Sequence, residues 1–158
     1  MEIYILRHGI AEEISPAGGD AARALTAEGK KRLREVLKLA ARGMRPDGIL
    51  CSPYRRAIES ARIAAEVLAF PGDILTSESF MPMSSPEDAW EEIRLYRDSA
   101  AVLIATHEPL AGLLAAFLLN SPSLAVEVKT GTIICVDAGT GVQKPRGILK
   151  WMLSPTVC

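Results

Sequence analysis

The residues most able to do chemistry in this chain are its two histidines, His8 and His107, and the arginines Arg7, Arg55 and Arg56. An imidazole can donate a hydrogen bond, accept one or attack as a nucleophile. A planar guanidinium can donate two parallel hydrogen bonds to two oxygens of one phosphate group. If these groups converge on one crevice, they form a site for an anion, and we expect that anion to be a phosphoryl group.

Other kinds of site fit the sequence less well. A metal site needs three or four ligands, and no group of carboxylates or cysteines lies near either histidine in the sequence, so no metal is expected. A thiol phosphatase built on Cys51 would need an arginine where Ala57 stands. The chain also lacks a glycine-rich loop with a lysine for nucleotide phosphates.

The hydrophobic pattern places these groups at the ends of predicted strands. Three apolar runs lead into the polar groups, and three further runs are strand-like: 2–6, 48–51 and 100–105, then 126–128, 133–136 and 148–153. Helical spacing occurs from an N-cap at Thr26 to a C-cap at Gly43, and over 57–68, 87–97 and 110–119. The segment 11–24, with Ser-Pro and Gly-Gly-Asp, is predicted to be a surface loop.

Strands that alternate with helices indicate an α/β fold, in which a mostly parallel central sheet is covered by helices on both faces as a three-layer α/β/α sandwich. Ligands in such sheets bind outside the carboxyl ends of the strands. We therefore expect Arg7 and His8, one or both of Arg55 and Arg56, and His107 to meet at one edge of the sheet.

Composition restricts the class of protein. With 158 residues, 49% hydrophobic and 23% charged, the chain fits one globular domain over 1–158. Its 18 basic and 19 acidic residues give a formal net charge of -1, so the chain lacks the excess of positive charge that binds nucleic acid or an acidic membrane. The apolar stretch 110–119 is too short to span a bilayer, and no signal peptide is recognisable. The odd number of distant cysteines, Cys51, Cys135 and Cys158, predicts buried or terminal thiols in a reducing compartment, so a cytoplasmic location is expected.

Three segments in a fixed order carry a resemblance to a known family. They are Ile5-Leu6-Arg7-His8-Gly9 with Ala11-Glu12, then Ser52-Pro53-Tyr54-Arg55-Arg56-Ala57 with Ala61, then Thr106-His107-Glu108-Pro109-Leu110. Together they resemble the histidine phosphatase superfamily, whose fold is phosphoglycerate mutase-like, and within it the short SixA-type phosphohistidine phosphatases. The resemblance extends over nearly the whole chain.

The resemblance implies a role for each matching residue. His8 would be the nucleophile that becomes a phosphohistidine, while Arg7, Arg56 and His107 would hold the phosphoryl oxygens, without a cofactor. Arg56 is preferred to Arg55 because the family's arginine directly precedes alanine, which leaves Arg55 in solvent. The positive charge of Arg7 and Arg56 should keep His8 neutral and able to attack.

The leaving group is the open question. Many members of the superfamily use a mid-chain acid to protonate an alkoxide, and here the nearest candidate, Glu78, is expected to be an exposed loop carboxylate. A protonated phosphoimidazole leaves as a neutral ring and needs less acid. We therefore predict that the substrate is a phosphohistidine of a partner protein. The alternatives are a small phosphomonoester as substrate, or a phosphate-binding module without turnover. Ser52 and Pro53 are interpreted as a strand terminator and helix cap rather than as phosphate ligands.

Overall fold

The computed structural model describes residues 1–155, so the predicted terminal thiol Cys158 lies outside the described residues. Helices and strands alternate along most of this range. In chain order they are β1 (Glu2–Arg7), α1 (Ala27–Ala40), β2 (Gly48–Cys51), α2 (Arg55–Val67), β3 (Ile74–Thr76), α3 (Pro86–Arg94), β4 (Ala101–Thr106), α4 (Leu110–Leu118), β5 (Ile133–Asp137) and β6 (Ile148–Leu153). Short 3-10 turns cover Asp20–Ala22 and Glu78–Phe80.

Over residues 1–155 the strands form a single six-stranded sheet in the order β3-β2-β4-β1-β5-β6. Strands β3, β2, β4 and β1 run parallel to one another, whereas β5 runs antiparallel to β1, and β6 runs antiparallel to β5. Helices α1 and α2 pack on one face, and α3 and α4 pack on the other. The predicted three-layer α/β/α sandwich with a mostly parallel sheet is therefore confirmed.

The side chains of β1 alternate between two hydrophobic cores. Ile3 and Ile5 pack toward α3 and α4, whereas Tyr4 and Leu6 pack toward α1 and α2. The central strand β4 is buried along its whole length. Because helices cover both faces of the sheet, β4 reads in the sequence as a continuous apolar run rather than an alternating one.

Two strand predictions differ from the structure. The short edge strand β3 was not predicted, because three residues with an exposed Leu75 leave almost no periodic signal. The run 126–128 was predicted to be strand-like, yet no strand forms there. The carbonyl of Val128 instead accepts a hydrogen bond from Nη1 of Arg7 at 2.5 Å, so its partner is a side chain.

The sequence predicted the start of α1 correctly but not its end. The hydroxyl of Thr26 accepts a hydrogen bond from the N–H of Gly29 at 2.9 Å, which confirms the predicted N-cap. The C-cap prediction was wrong, because Ala41 caps the helix in a right-handed conformation. Gly43 lies in the turn that follows, where its N–H donates to the carbonyl of Ala40 at 3.0 Å.

None of the helices within residues 1–155 has both the length and the apolar character needed to cross a bilayer.

Candidate active site

The register of the sheet brings the predicted site residues together. Arg7 is paired with Thr106 across β1 and β4, and Cys51 is paired with Ala105 across β2 and β4. These strands are parallel, so the residues that follow them emerge at the same carboxyl edge. The N–H of His8 donates to the carbonyl of Thr106 at 3.0 Å, which fixes the two chain segments side by side.

His8 is held in one orientation and one tautomer. Its side chain is 7% exposed, and Nδ1 lies 2.7 Å from the carbonyl oxygen of Gly9. A carbonyl only accepts hydrogen bonds, so Nδ1 carries the proton and Nε2 carries the lone pair. Nε of Arg56 donates to that Nε2 at 3.2 Å. The unprotonated nitrogen of His8 therefore faces a guanidinium.

Arg56 is buried and bound to a loop that the sequence did not single out. Its Nη1 donates to the backbone carbonyl of Asp20 at 2.7 Å, and its Nη2 donates to Oδ2 of the same residue at 3.0 Å. Arg23 also bonds to the Asp20 carboxylate, at 2.8 Å. Desolvation alone would raise the pKa of Asp20, but the hydrogen bonds from Arg56 and Arg23 lower it below its ordinary value. No pattern within the predicted surface loop 11–24 marked Asp20 or Arg23 as part of a site.

His107 completes the cluster of imidazoles. Its ring centroid lies 5.0 Å from that of His8, and Tyr54 packs against it edge-on at 5.1 Å. The side chain is 1% exposed, and within residues 1–155 neither ring nitrogen has a hydrogen-bond partner. Buried polar atoms are nearly always bonded. The His107 ring can therefore contribute a donor and an acceptor to a ligand without breaking an internal bond.

Arg7 is anchored at one end only. Its Nη1 is bonded to the carbonyl of Val128, while its buried Nε has no partner among the described residues. Burial lowers the pKa of Arg7, and the nearby carboxylate of Glu108 opposes that effect. The guanidinium thus has donor capacity next to His8.

Both histidines are neutral at pH 7. Burial is the largest cause of the fall in the pKa of His8 to about 4, with further lowering by Arg56 and Arg7. Burial likewise lowers the pKa of His107 to about 2, assisted by His8 and Arg56. We expected the charges of the arginines to keep His8 neutral. They do lower its pKa, but burial lowers it more.

Besides Asp20, two carboxyl groups bear on the question of a general acid. Glu78 is exposed and lines a groove of about 580 Å³ beside α3. Glu108, which sequence reasoning did not select although it directly follows His107, is partly buried. Its Oε1 accepts a hydrogen bond from the N–H of Gly112 at 3.1 Å. Burial raises the pKa of Glu108, while Arg7 and the Gly112 bond oppose the rise.

The residues interpreted as structural have local partners. Arg55 is 55% exposed at its side chain and pairs with Glu59 at 3.1 Å, so it lies away from His8. The buried hydroxyl of Ser52 accepts a hydrogen bond from the N–H of Tyr54 at 3.2 Å, which closes the turn between β2 and α2. Pro53 lies in that turn. The helix-cap part of the interpretation was wrong, because the N-cap of α2 is Tyr54, which makes no side-chain capping bond.

The cysteines and acidic residues offer little for metal chemistry. Cys51 and Cys135 are free and buried, and burial raises the pKa of their thiols to about 11 and about 12. No group of three or more His, Cys, Asp or Glu side chains within residues 1–155 is arranged to hold a metal ion.

Comparison with known proteins agrees with this geometry. The family model described as histidine phosphatase superfamily (branch 1) matches residues 3–83, just over half of the chain, and includes His8 and Arg56. An uncharacterized protein of Picosynechococcus sp. is 41% identical over 66 residues, which are 41% of this chain and only 40% of that protein.

Two solved structures illustrate the likeness in fold. The protein histidine phosphatase SixA, in complex with tungstate, is 24% identical, with a TM-score of 0.87 over 98% of this chain and 97% of that one. A mycobacterial glucosyl-3-phosphoglycerate phosphatase is 14% identical, with a TM-score of 0.70 over 94% and 96% of the two chains. The strand order, the meeting of His8 with Arg56 at the sheet edge and the family match lead to one conclusion: the chain belongs to the histidine phosphatase superfamily.

Proposed function

We propose that the protein is a phosphatase that acts through a phosphohistidine intermediate on His8, and that its substrate is a phosphorylated histidine in a partner protein. One observation carries the proposal. The unprotonated Nε2 of a buried, neutral imidazole faces the Arg56 guanidinium at 3.2 Å, with the unpartnered ring nitrogens of His107 alongside. A nucleophile set among fixed donors is what phosphoryl transfer requires.

The reaction has two steps. Nε2 of His8 attacks phosphorus, and the bond from phosphorus to the substrate nitrogen breaks as the new nitrogen–phosphorus bond forms. Nδ1 keeps its proton on the carbonyl of Gly9 throughout. Arg7, Arg56 and His107 bind the oxygens on which charge is spread in the transition state. Water then attacks the phosphohistidine, releases phosphate and restores neutral His8, with no cofactor in either step.

The arrangement of the carboxyl groups supports a phosphohistidine substrate. A protonated phosphoimidazole leaves as a neutral ring, so that reaction demands little from a general acid. Glu78 is exposed beside α3, and Oε1 of Glu108 accepts a hydrogen bond from the N–H of Gly112 in α4. The similarity in fold to a structure named as a protein histidine phosphatase points the same way.

A small phosphomonoester is the second candidate substrate. The observation in its favour is Glu108, because a carboxyl group with a raised pKa beside His107 has the character of a proton donor to an alkoxide. A similar fold occurs in a glucosyl-3-phosphoglycerate phosphatase.

One experiment separates the candidates. The wild-type protein should release phosphate faster from a phosphohistidine-bearing protein than from alkyl phosphomonoesters, and Glu108→Gln should keep that activity. An acid-labile phosphoenzyme should be trapped in the wild type and be missing in His8→Ala. A preference for the esters that is lost in Glu108→Gln would establish the second candidate. Phosphate binding without any phosphoenzyme or turnover would instead indicate a binding module.

A further inference from the structure

Ser60 is a buried residue on α2 that the proposed reaction does not use. It lies four residues after Arg56, and its side chain is completely inaccessible to solvent. Its hydroxyl donates to the backbone carbonyl of Arg56 at 2.7 Å and accepts from the backbone N–H of Gly9 at 3.1 Å. Ser60 therefore joins the helix that carries Arg56 to the residue that directly follows His8.

The bond to Gly9 completes the restraint of the peptide between His8 and Gly9. The carbonyl end of that peptide accepts a hydrogen bond from the N–H of Gly131 at 2.9 Å. Gly131 has a φ of 79°, a conformation that a residue with a side chain rarely adopts. With Ser60 on the N–H end, both polar groups of the peptide are bonded, so the plane of the peptide is fixed.

A fixed peptide matters because the His8 ring is oriented by its own backbone. Nδ1 of the ring donates to the carbonyl of Gly9, so the position of Gly9 determines where Nε2 points. Nε2 must point at phosphorus, and it lies 3.2 Å from Nε of Arg56. Ser60 holds both sides of this contact at once, through Gly9 on one side and through the helical turn of Arg56 on the other.

We propose that Ser60 is a positioning residue that sets the His8 imidazole against the Arg56 guanidinium for attack on the phosphoryl group. This inference rests on the proposed role of His8 as the nucleophile. Ser60 touches neither the phosphoryl group nor the reacting nitrogen, and it acts through the Gly9 peptide. Loss of its hydroxyl leaves the buried N–H of Gly9 without an acceptor and frees the peptide to rotate.

The test measures the rate of phosphoenzyme formation in a single turnover with phosphoimidazole as the donor. Ser60→Ala should slow this step by about ten- to a hundredfold, because small misplacements of reacting groups cost rates of that order. Ser60→Thr keeps a hydroxyl and should recover most of the rate. Ser85→Ala removes another serine that accepts a backbone N–H, at the N-cap of α3, and should lower stability without slowing phosphorylation.

A second readout distinguishes positioning from general damage to the fold. In protein carrying ¹⁵N-labelled histidine, the wild-type His8 should show a single tautomer with the proton on Nδ1, whereas Ser60→Ala should show a mixture. Equal phosphorylation rates and the same single tautomer in wild type and Ser60→Ala would overturn the positioning role. A wild type that forms no phosphoenzyme at all would overturn the proposed function instead.

Discussion

Acidification from pH 7 to pH 5 should destabilise the folded protein, because its only two histidines are both buried in the neutral form. The pKa of His8 falls from 6.5 to about 4 on folding, and that of His107 falls from 6.5 to about 2. Because the histidine pKa values are lower in the folded state, the unfolded chain binds more protons than the folded chain between these pKa values. Stability is therefore lost as the pH drops below 6.5 toward the folded values.

The size of the effect at pH 5 follows from the unfolded pKa alone, since both folded values lie below 5. The gap between the unfolded pKa and pH 5 is about 1.5 units, and each unit corresponds to about 1.4 kcal/mol. Each histidine thus contributes a loss of about 2 kcal/mol, and the pair about 4 kcal/mol, which is a large part of the stability of an ordinary domain. The raised pKa of Glu108 acts in the opposite direction over this range.

The assay is urea unfolding at pH 7 and pH 5, followed by the fluorescence of Trp90 and Trp151. Phosphate buffers must be avoided, because an anion that binds the folded state adds stability of its own. The double variant His8→Asn, His107→Asn provides the control, and each single variant should lose about half of the pH dependence. A wild type that is as stable at pH 5 as at pH 7, or whose loss matches that of the double variant, would refute the reasoning.

Two further substitutions have clear expected outcomes. Arg56→Lys should lower phosphatase activity by about a hundredfold or more, because a lysine cannot donate two parallel hydrogen bonds as a guanidinium does. The neighbouring Arg55→Lys should leave the rate unchanged. A larger effect at Arg55 would reverse the assignment. Gly29→Ala should destabilise the protein by about 3 kcal/mol in urea unfolding, because the added Cβ would lie 2.1 Å from the carbonyl oxygen of Ile10. Gly43→Ala, with open space around its Cβ, should change stability by less than about 0.5 kcal/mol, and equal effects at the two glycines would contradict this account.

The sequence predicted the parts of the fold that depend on repeated local signals. The apolar runs of β1, β2 and β4 are long enough to recognise, and each leads into a histidine, an arginine or a serine at the same edge of the sheet. The short strand β3 has no such signal, and its place at the edge of the sheet is decided by pairing with β2. The failure at 126–128 has a related origin, because the Arg7 side chain that bonds to the Val128 carbonyl lies 121 residues away in the chain and leaves no local signal.

The site residues also differ in whether a local sequence signal could predict them. His8, His107 and the pair Arg55 and Arg56 could be selected because they follow recognisable strands, whereas the choice of Arg56 over Arg55 came from the resemblance to the family. Asp20 lies in an irregular loop, and only the folded chain shows that its carboxylate and carbonyl bind Arg56. The dominance of burial over charge in setting the pKa of His8 also depends on packing, which a single sequence does not reveal.

The candidate site is assembled from segments that are far apart in the chain, and this affects how the protein folds. His8 and Arg56 are 48 residues apart, and their contact requires β1, β4 and β2 to be paired side by side. Contacts of such sequence separation form late, after the entropy of closing long loops has been lost. If the site binds phosphate as proposed, that binding should return on refolding together with the complete sheet rather than with any earlier compact state. A bound anion would slow unfolding of the molecule as a whole, so that occupancy of the site and lifetime of the native state rise together.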